Sequence, residues 1–406
     1  MDWRKWLGLE MTPERFARKV SRALQVYKPG LAPVLDLENF RLLISEGNYF
    51  NLHNVYHAYR HAPRKEKERV VVQFVEGILN PPEMPPTFEA ARPHLLPALR
   101  RKSLLDYLRL AAAPGKQDEA VFAHRDFGPD AVLALALDAE RSMSILMDSK
   151  LKEWGVSFDT ALAAAMDNLR DRSVDNFRAI DGAPGLTRSN WCDAYDSSRI
   201  LLPDLLFRGV AGGSPVVMIP TRETLLLAPD NNTAAQLAML AMAGQALHES
   251  TRWCSTTLYW VANGRLEPFE PHDAQVRDSL RTLERDVAMS DYADQKAQLD
   301  KAHERDGEDI FVATFGAMER DGRIASYCTW SEEVTAALLP RTDVVALARK
   351  RAGEGCDFVV VDWDTLQERH AHLLAPTSAF PPRFRVSAFP ADLFDELFAA
   401  KQRASA

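Results

Sequence analysis

Residues 273–304 constrain this fold more than any other segment. They are dense in charge and contain neither glycine nor proline, so nothing inside them ends a helix. A helix charged on most faces cannot be a buried core element; it bridges or straps other parts. The expectation is one long helix, or a helical hairpin, between two globular parts. The composition shifts after Pro271. That divides the chain into an N-terminal αββα unit at 1–82, a core domain at 93–270, a helical connector at 271–305 and a C-terminal domain at 306–406. A chain of 406 residues is long enough to bury two or three separate cores.

Local patterns fill in these parts. Thr12-Pro13 opens a helix, because Thr caps well and Pro at the first helical position gives up no needed hydrogen bond. Phe16, Val20, Ala23, Leu24 and Tyr27 recur at helical spacing until Pro29-Gly30. Segments 34–37 and 40–44 read as a hairpin, 50–61 as a short amphipathic segment, 66–79 as a surface helix, and Pro81-Pro82 with Pro85-Pro86 as a linker. In the core domain, 132–137, 143–147, 177–180, 216–220, 224–228 and 257–261 read as strands, and 160–169 and 233–250 as helices. Gly244 falls on the apolar face of the second helix, where it reads as the mark of a close backbone contact. Residues 95–108 fit strand and helix equally. Strands at 309–315, 324–329, 343–348 and 358–362, an extended 383–389 and a closing helix from Ala391 make up the C-terminal domain. Strands follow strands between helices without strict βαβ alternation. The predicted fold class is therefore α+β, a largely antiparallel mixed sheet with flanking helices and a second α+β domain.

Bulk chemistry excludes some classes of partner. The net charge is −8, whereas a nucleic-acid binder shows a dominant basic face; no nucleic-acid partner is expected. No apolar run is long enough for a membrane span. Trp3, Trp6 and Leu7 beside Arg4 and Lys5 are too short a segment to anchor a membrane surface and read as docking onto the protein. The N-terminus lacks the apolar region of a secretory signal. Cys192, Cys254, Cys328 and Cys356 form no C-x-x-C pair and read as buried free thiols, which places the chain in a reducing cytoplasm.

The richest polar chemistry lies at 193–230. Asp193, Asp196, Arg199 and Glu223 are a candidate carboxylate–guanidinium cluster, able to do acid–base work or hold Mg²⁺. The architectural reading of the same residues is a turn at Asp196-Ser197-Ser198, fixed by a bidentate pair from Arg199. Tyr195 and Ser198 are candidate ligand-binding residues. His53, His57 and His61 share one helix face at i, i+4 and i+8 and are the metal candidates, though no Glu follows the first His as in a zinc protease. Asp362-Trp363-Asp364 ends an apolar strand, with Asp364 expected to cap the next helix.

Several of these segments together resemble the YtpQ-like family, also called domain of unknown function 1444. They are Leu9 to Ala17, Asn51-Leu52 through Tyr59 with Ala62-Pro63, Asn168-Leu169-Arg170, Tyr195 to Leu201, and Ile219 to Leu226, in matching order over roughly the first 270 residues. The resemblance implies a cytoplasmic bacterial protein with an α+β fold and brings no activity with it. Gly322 to Glu333 and the strand pair near 343–362 are faintly similar to SseB-type secretion-enhancer domains, which implies a protein-binding module. The expectation is thus a non-catalytic protein that needs no cofactor and binds a small ligand or, through its C-terminal domain, another protein. The alternative is an acid–base or Mg²⁺-assisted hydrolase built on Asp193, Asp196, Arg199 and Glu223.

Overall fold

The computed structural model describes residues 11–405 apart from 32, 38–39, 46–47, 80–83, 113, 140–141, 251, 321 and 352–354. Trp3, Trp6, Leu7 and the Pro81-Pro82 pair lie outside the described residues. The fold is α+β, with sheets that are antiparallel except at two strand pairs.

The N-terminal unit holds α1 (Pro13–Tyr27), β1 (Val34–Asp36), β2 (Arg41–Ser45), β3 (Asn48–Asn51), α2 (His53–His61) and α3 (Lys67–Leu79). The Thr12 hydroxyl accepts from the Arg15 N–H as a helix cap. Phe16, Val20 and Leu24 of α1 pack with Leu42, Leu52, Val71 and Val75 as one core. The expected hairpin thus gains a third strand, and αββα becomes αβββαα.

After α4 (Phe88–Ala91), the core part places β4 (Leu95–Arg101) antiparallel to β6 (Ala131–Ala139). Between them run α5 (Ser103–Ala111) and β5 (His124–Phe127), and β7 (Ser142–Ile145) pairs with β6. The ambiguous 95–108 is strand first and helix second. After α6 (Asp148–Glu153) comes α7 (Phe158–Asp171). Its Ala161 and Ala165 meet Leu95, Leu135 and Leu137, so small side chains let the helix lie close to the sheet.

The second core sheet has six strands: β8 (Phe177–Ala179), β9 (Thr187–Ser189), β10 (Pro215–Thr221), β11 (Thr224–Pro229), β12 (Tyr259–Ala262) and β13 (Arg265–Pro268), with α8 (Pro203–Arg208) before β10. Every residue of β10 and β11 is buried, which explains their unbroken apolar runs: both faces are covered. One face, with Val217, Ile219, Leu225 and Leu227, packs on Leu99 and Leu133 of the first sheet. The other, with Val216, Met218, Leu226 and Ala228, packs on α9 (Thr233–Glu249) and α10 (Ala274–Asp306). A Cβ on Gly244 would meet Leu283 at 3.6 Å. That is ordinary contact distance, so no close approach demands the glycine.

The charged segment forms a single helix, α10, and not a hairpin. Asp273 caps it by accepting from Gln275 and Val276 N–H groups, and Gly307 ends it in the left-handed conformation at φ 69°. It straps the two parts. Val276 and Leu283 sit in the core of the six-stranded sheet, Asp291 pairs with Arg101 at 2.8 Å, and the Tyr292 hydroxyl donates to Pro382 O at 2.8 Å.

The C-terminal part comprises β14 (Phe311–Val312), β15 (Gly316–Arg320), β16 (Arg323–Ser331), β17 (Ala337–Pro340), β18 (Val344–Lys350), β19 (Cys356–Asp362), α11 (Trp363–His370), β20 (Ala375–Pro376), β21 (Arg383–Val386) and α12 (Ala391–Ser405). Trp330, Val345, Leu347, Trp363, Leu393 and Phe394 form its core. Buried Arg383 ties this part to α10. It donates to Gln295 Oε1 at 2.6 Å and to the carbonyls of Ala313, Leu338 and Tyr292. No helix among the described residues is long and apolar enough to cross a membrane. Cys254 and Cys328 are buried as expected, but Cys192 and Cys356 are exposed.

Candidate functional site

The Asp193–Arg199 segment is closed. Arg199 is 0% exposed. Its guanidinium grips Asp193 through two hydrogen bonds of 2.9 and 2.7 Å and donates to Ser173 Oγ and Arg172 O. Trp191 stacks on it at 4.3 Å. Burial works against a charge on Asp193, but the Arg199 hydrogen bonds and charge, helped by the Tyr195 N–H, outweigh it and hold the carboxyl below the usual range. Cys192 and Ala194 adopt left-handed φ values of 55° and 65°, unfavourable for side chains other than glycine. The surrounding pairings hold this bend. Ser198 is buried and donates its N–H to Tyr195 O. The Tyr195 hydroxyl donates to Asp138, which also pairs with Arg172. This is the geometry of a fixed turn.

Asp196 is buried from water. Ser189 and the Cys192 N–H approach it without hydrogen bonds of good geometry, so both carboxylate oxygens lack a partner. Burial is the main reason its pKa rises, and the Asp193 charge adds to it. Its side chain makes no cap to the helical turn Ser197–Leu201 that follows.

Glu223 does not join this cluster. It stands at the β10–β11 turn, 2.9 Å from Arg252 and 3.5 Å from Arg222. His57 and His61 do share a face, with ring centroids 4.1 Å apart, and His61 Nδ1 is within hydrogen-bond distance of His57 O. His57 is pushed below its usual pKa by burial, then by the charges of His61, Arg252 and Arg60. The His53 side chain lies outside the described residues. Among the described residues, no group of three His, Cys, Asp or Glu side chains is placed to hold a metal ion. In the C-terminal part Asp364 pairs with Arg341 at 2.9 Å and does not cap α11; the N-cap position is Asp362, which makes no side-chain cap.

The open chemistry lies elsewhere, in a hollow of about 150 Å³ between the core part, α10 and the Phe380-Pro381 segment. Gly128 makes the turn that brings Asp130 there. Its φ is +63°, and a Cβ would collide with Tyr259. Asp130 accepts from Ser255 Oγ, Thr256 N, Thr256 Oγ1 and Thr257 Oγ1 at 2.6–3.1 Å. Asp291 is held by Arg101. Glu284 is alone, with neither a hydrogen bond nor an ion pair among the described residues. It is exposed to solvent and lines both this hollow and a wider groove beside it. Its pKa is pushed up to about 7 by burial and by the Asp130 charge, against a smaller opposing pull from Arg281. Cys254 is sealed in the wall, and burial pushes its thiol up to about 11, which leaves it unreactive at neutral pH. Glu284, Ala288 and Pro381 also line a wider groove of about 970 Å³ toward the C-terminal part.

Sequence reasoning missed this hollow because its walls come from segments scattered between Arg101 and Pro381. The one available signal was the Ser255-Thr256-Thr257 run, a set of hydroxyls suited to holding a carboxylate. No family model, curated protein or solved structure matches the chain.

Proposed function

We propose that this chain is a non-catalytic binding protein whose ligand occupies the hollow beside Glu284, and that the ligand is a small organic ammonium ion. The observation that carries this is the imbalance of charge: three carboxylates, Asp130, Glu284 and Asp291, face one cation, Arg101. Arg101 is committed to Asp291, and Asp130 is oriented by neutral donors. Glu284 is left to meet a ligand cation. Trp253, Leu247 and Phe380 supply an apolar wall for an alkyl or aryl group, the usual composition of a small-molecule pocket. The Asp193–Arg199 segment lends less support to a hydrolase, since its guanidinium is buried and committed to Asp193, and Asp196 is buried. A protein partner on the C-terminal part belongs to the same reading: β19 is an edge strand, and its Phe358 is 54% exposed. Kinship to the YtpQ-like family is also kept as a proposal, resting on the quoted sequence segments alone.

The test is titration with benzylamine followed by calorimetry. Saturable binding is expected, weakened at least about tenfold by Glu284→Gln, as for a lost charged hydrogen bond. Affinity should rise with pH through about 7, because deprotonation creates the carboxylate that the ammonium needs. Equal binding by the wild type and the Glu284→Gln variant would refute the assignment.

A further inference from the structure

A second site stands on the opposite side of β4. Adjacent strand residues point to opposite faces, so Arg101 faces α10 while Arg100 faces Tyr195 and Met143. Among the described residues, Arg100 has no carboxylate partner. It donates to its neighbour Leu99 O at 2.7 Å and lies 3.6 Å from Met143 Sδ. Arg222, at the β10–β11 turn, is 17% exposed, and its buried Nε has no hydrogen-bond partner. Arg252 completes the group. Burial lowers the pKa of both Arg100 and Arg222, and Arg252 acts on each as a like charge; for Arg222 the value falls to about 10. Among the described residues, the carboxylate that pairs with Arg222 and Arg252 is Glu223, which is 49% exposed. Among the described residues, three guanidinium groups against this one carboxylate leave two positive charges unmatched.

An arginine cannot shed its charge at neutral pH, and enclosing an unpaired charge is costly. In a chain of net charge −8, three mutually repelling arginines are the reverse of what solubility or packing requires. Backbone pairing gathers the three segments: the Arg222 N–H donates to Arg252 O at 3.2 Å, and the Cys254 thiol, two residues on, lies 3.4 Å from Leu99 O beside Arg100, and planar donor forks of this kind suit oxyanions.

We propose that Arg100, Arg222 and Arg252 bind a phosphate-type dianion, either inorganic phosphate or a small phosphate monoester, and that Glu223 is an internal counter-ion which the ligand displaces. A dianion matches the two unmatched charges, whereas a carboxylate ligand matches one. This site uses none of the residues around Glu284 and stands independently of the ammonium reading.

The full-length chain, freed of phosphate and sulfate, is titrated with inorganic phosphate, phenyl phosphate and acetate at pH 7.5 and followed by calorimetry. Saturable binding of one or both phosphates, and none of acetate, is expected. Inorganic phosphate alone identifies the free anion, and phenyl phosphate as well identifies a monoester. Arg222→Gln should weaken binding about tenfold or more, without lowering the unfolding temperature of the unliganded protein. Glu223→Gln should tighten binding several-fold by removing the internal competitor. Failure of both phosphates to saturate, acetate binding equally well, or a folded Arg222→Gln variant of unchanged affinity overturns the proposal. Should Arg222→Gln not fold, the Glu223→Gln variant decides: unchanged or weaker affinity overturns it.

Discussion

Two arginine environments in the core part differ in one respect that separates scaffold from site. Arg199 is fully enclosed and satisfied, with Asp193 bidentate, Ser173 and Arg172 O as acceptors and Trp191 stacked above. Arg100 and Arg222 are largely enclosed and less well matched: Arg222 shares Glu223 with Arg252 and keeps a buried Nε without a hydrogen bond, while among the described residues Arg100 meets only Leu99 O and Met143 Sδ. Arg383 belongs with Arg199: although burial pulls its pKa down to about 10, its nitrogens all find acceptors. A buried charge whose partners lie within the protein serves the fold. One whose partners are absent needs something from outside. The same contrast holds among the acids, where Asp130 is surrounded by donors and Glu284 has none.

The largest effect that tests this contrast is expected from Arg199→Gln. It leaves Asp193 half-buried beside a bend with two left-handed residues, and should lower the stability by about 3–5 kcal/mol, as for breaking a buried pair from one side. Urea unfolding measures it; a loss below about 1 kcal/mol would remove the structural role. The matching Arg222→Gln change should leave stability equal or higher, since it relieves repulsion and an orphaned donor.

The acids of the closed segment should respond to pH in opposite senses. The Asp193 pKa is lower in the folded state, so its stabilisation is present above the unfolded pKa and lost as pH falls through the folded value. The Asp196 pKa is higher in the folded state, so it erodes stability as pH rises from the unfolded to the folded value. Asp196→Asn should therefore stabilise at pH 7 by about 1 kcal/mol and by less at pH 4. An equal effect at both pH values would contradict the unpaired carboxylate. The smallest effect is expected from Gly244→Ala, which should raise stability by up to about 1 kcal/mol, because helix propensity improves and Leu283 leaves room.

Much of the fold was legible in the sequence because periodicity and punctuation carry it. The glycine- and proline-free 273–304 segment is one helix, and the apolar runs at 216–220 and 224–228 are the two most buried strands. Elements that escaped were short or weakly patterned, such as β3 and β15, which pair with the strand next to them in the chain, and β17, whose partners β14 and β21 are distant in it. The site was less legible. Asp193 and Arg199 are six residues apart and meet as local chemistry suggests, but Glu223, grouped with them by residue type, belongs to Arg252. Sequence alone gives Arg100 and Arg101 equal standing. The pleat of β4 sends one to Asp291 and leaves the other unpaired. Asp130 and Glu284 meet across a hollow that exists only after α10 crosses the core.

The most direct measurement is thermal unfolding of the wild-type, Arg199→Gln and Arg222→Gln proteins side by side, with and without inorganic phosphate at pH 7.5. The account predicts that Arg199→Gln unfolds at a markedly lower temperature yet is still stabilised by phosphate. It also predicts that Arg222→Gln unfolds no earlier than the wild type and gains nothing from phosphate. A lowered unfolding temperature for Arg222→Gln with its phosphate response intact would contradict the division between a closed scaffold and an open site.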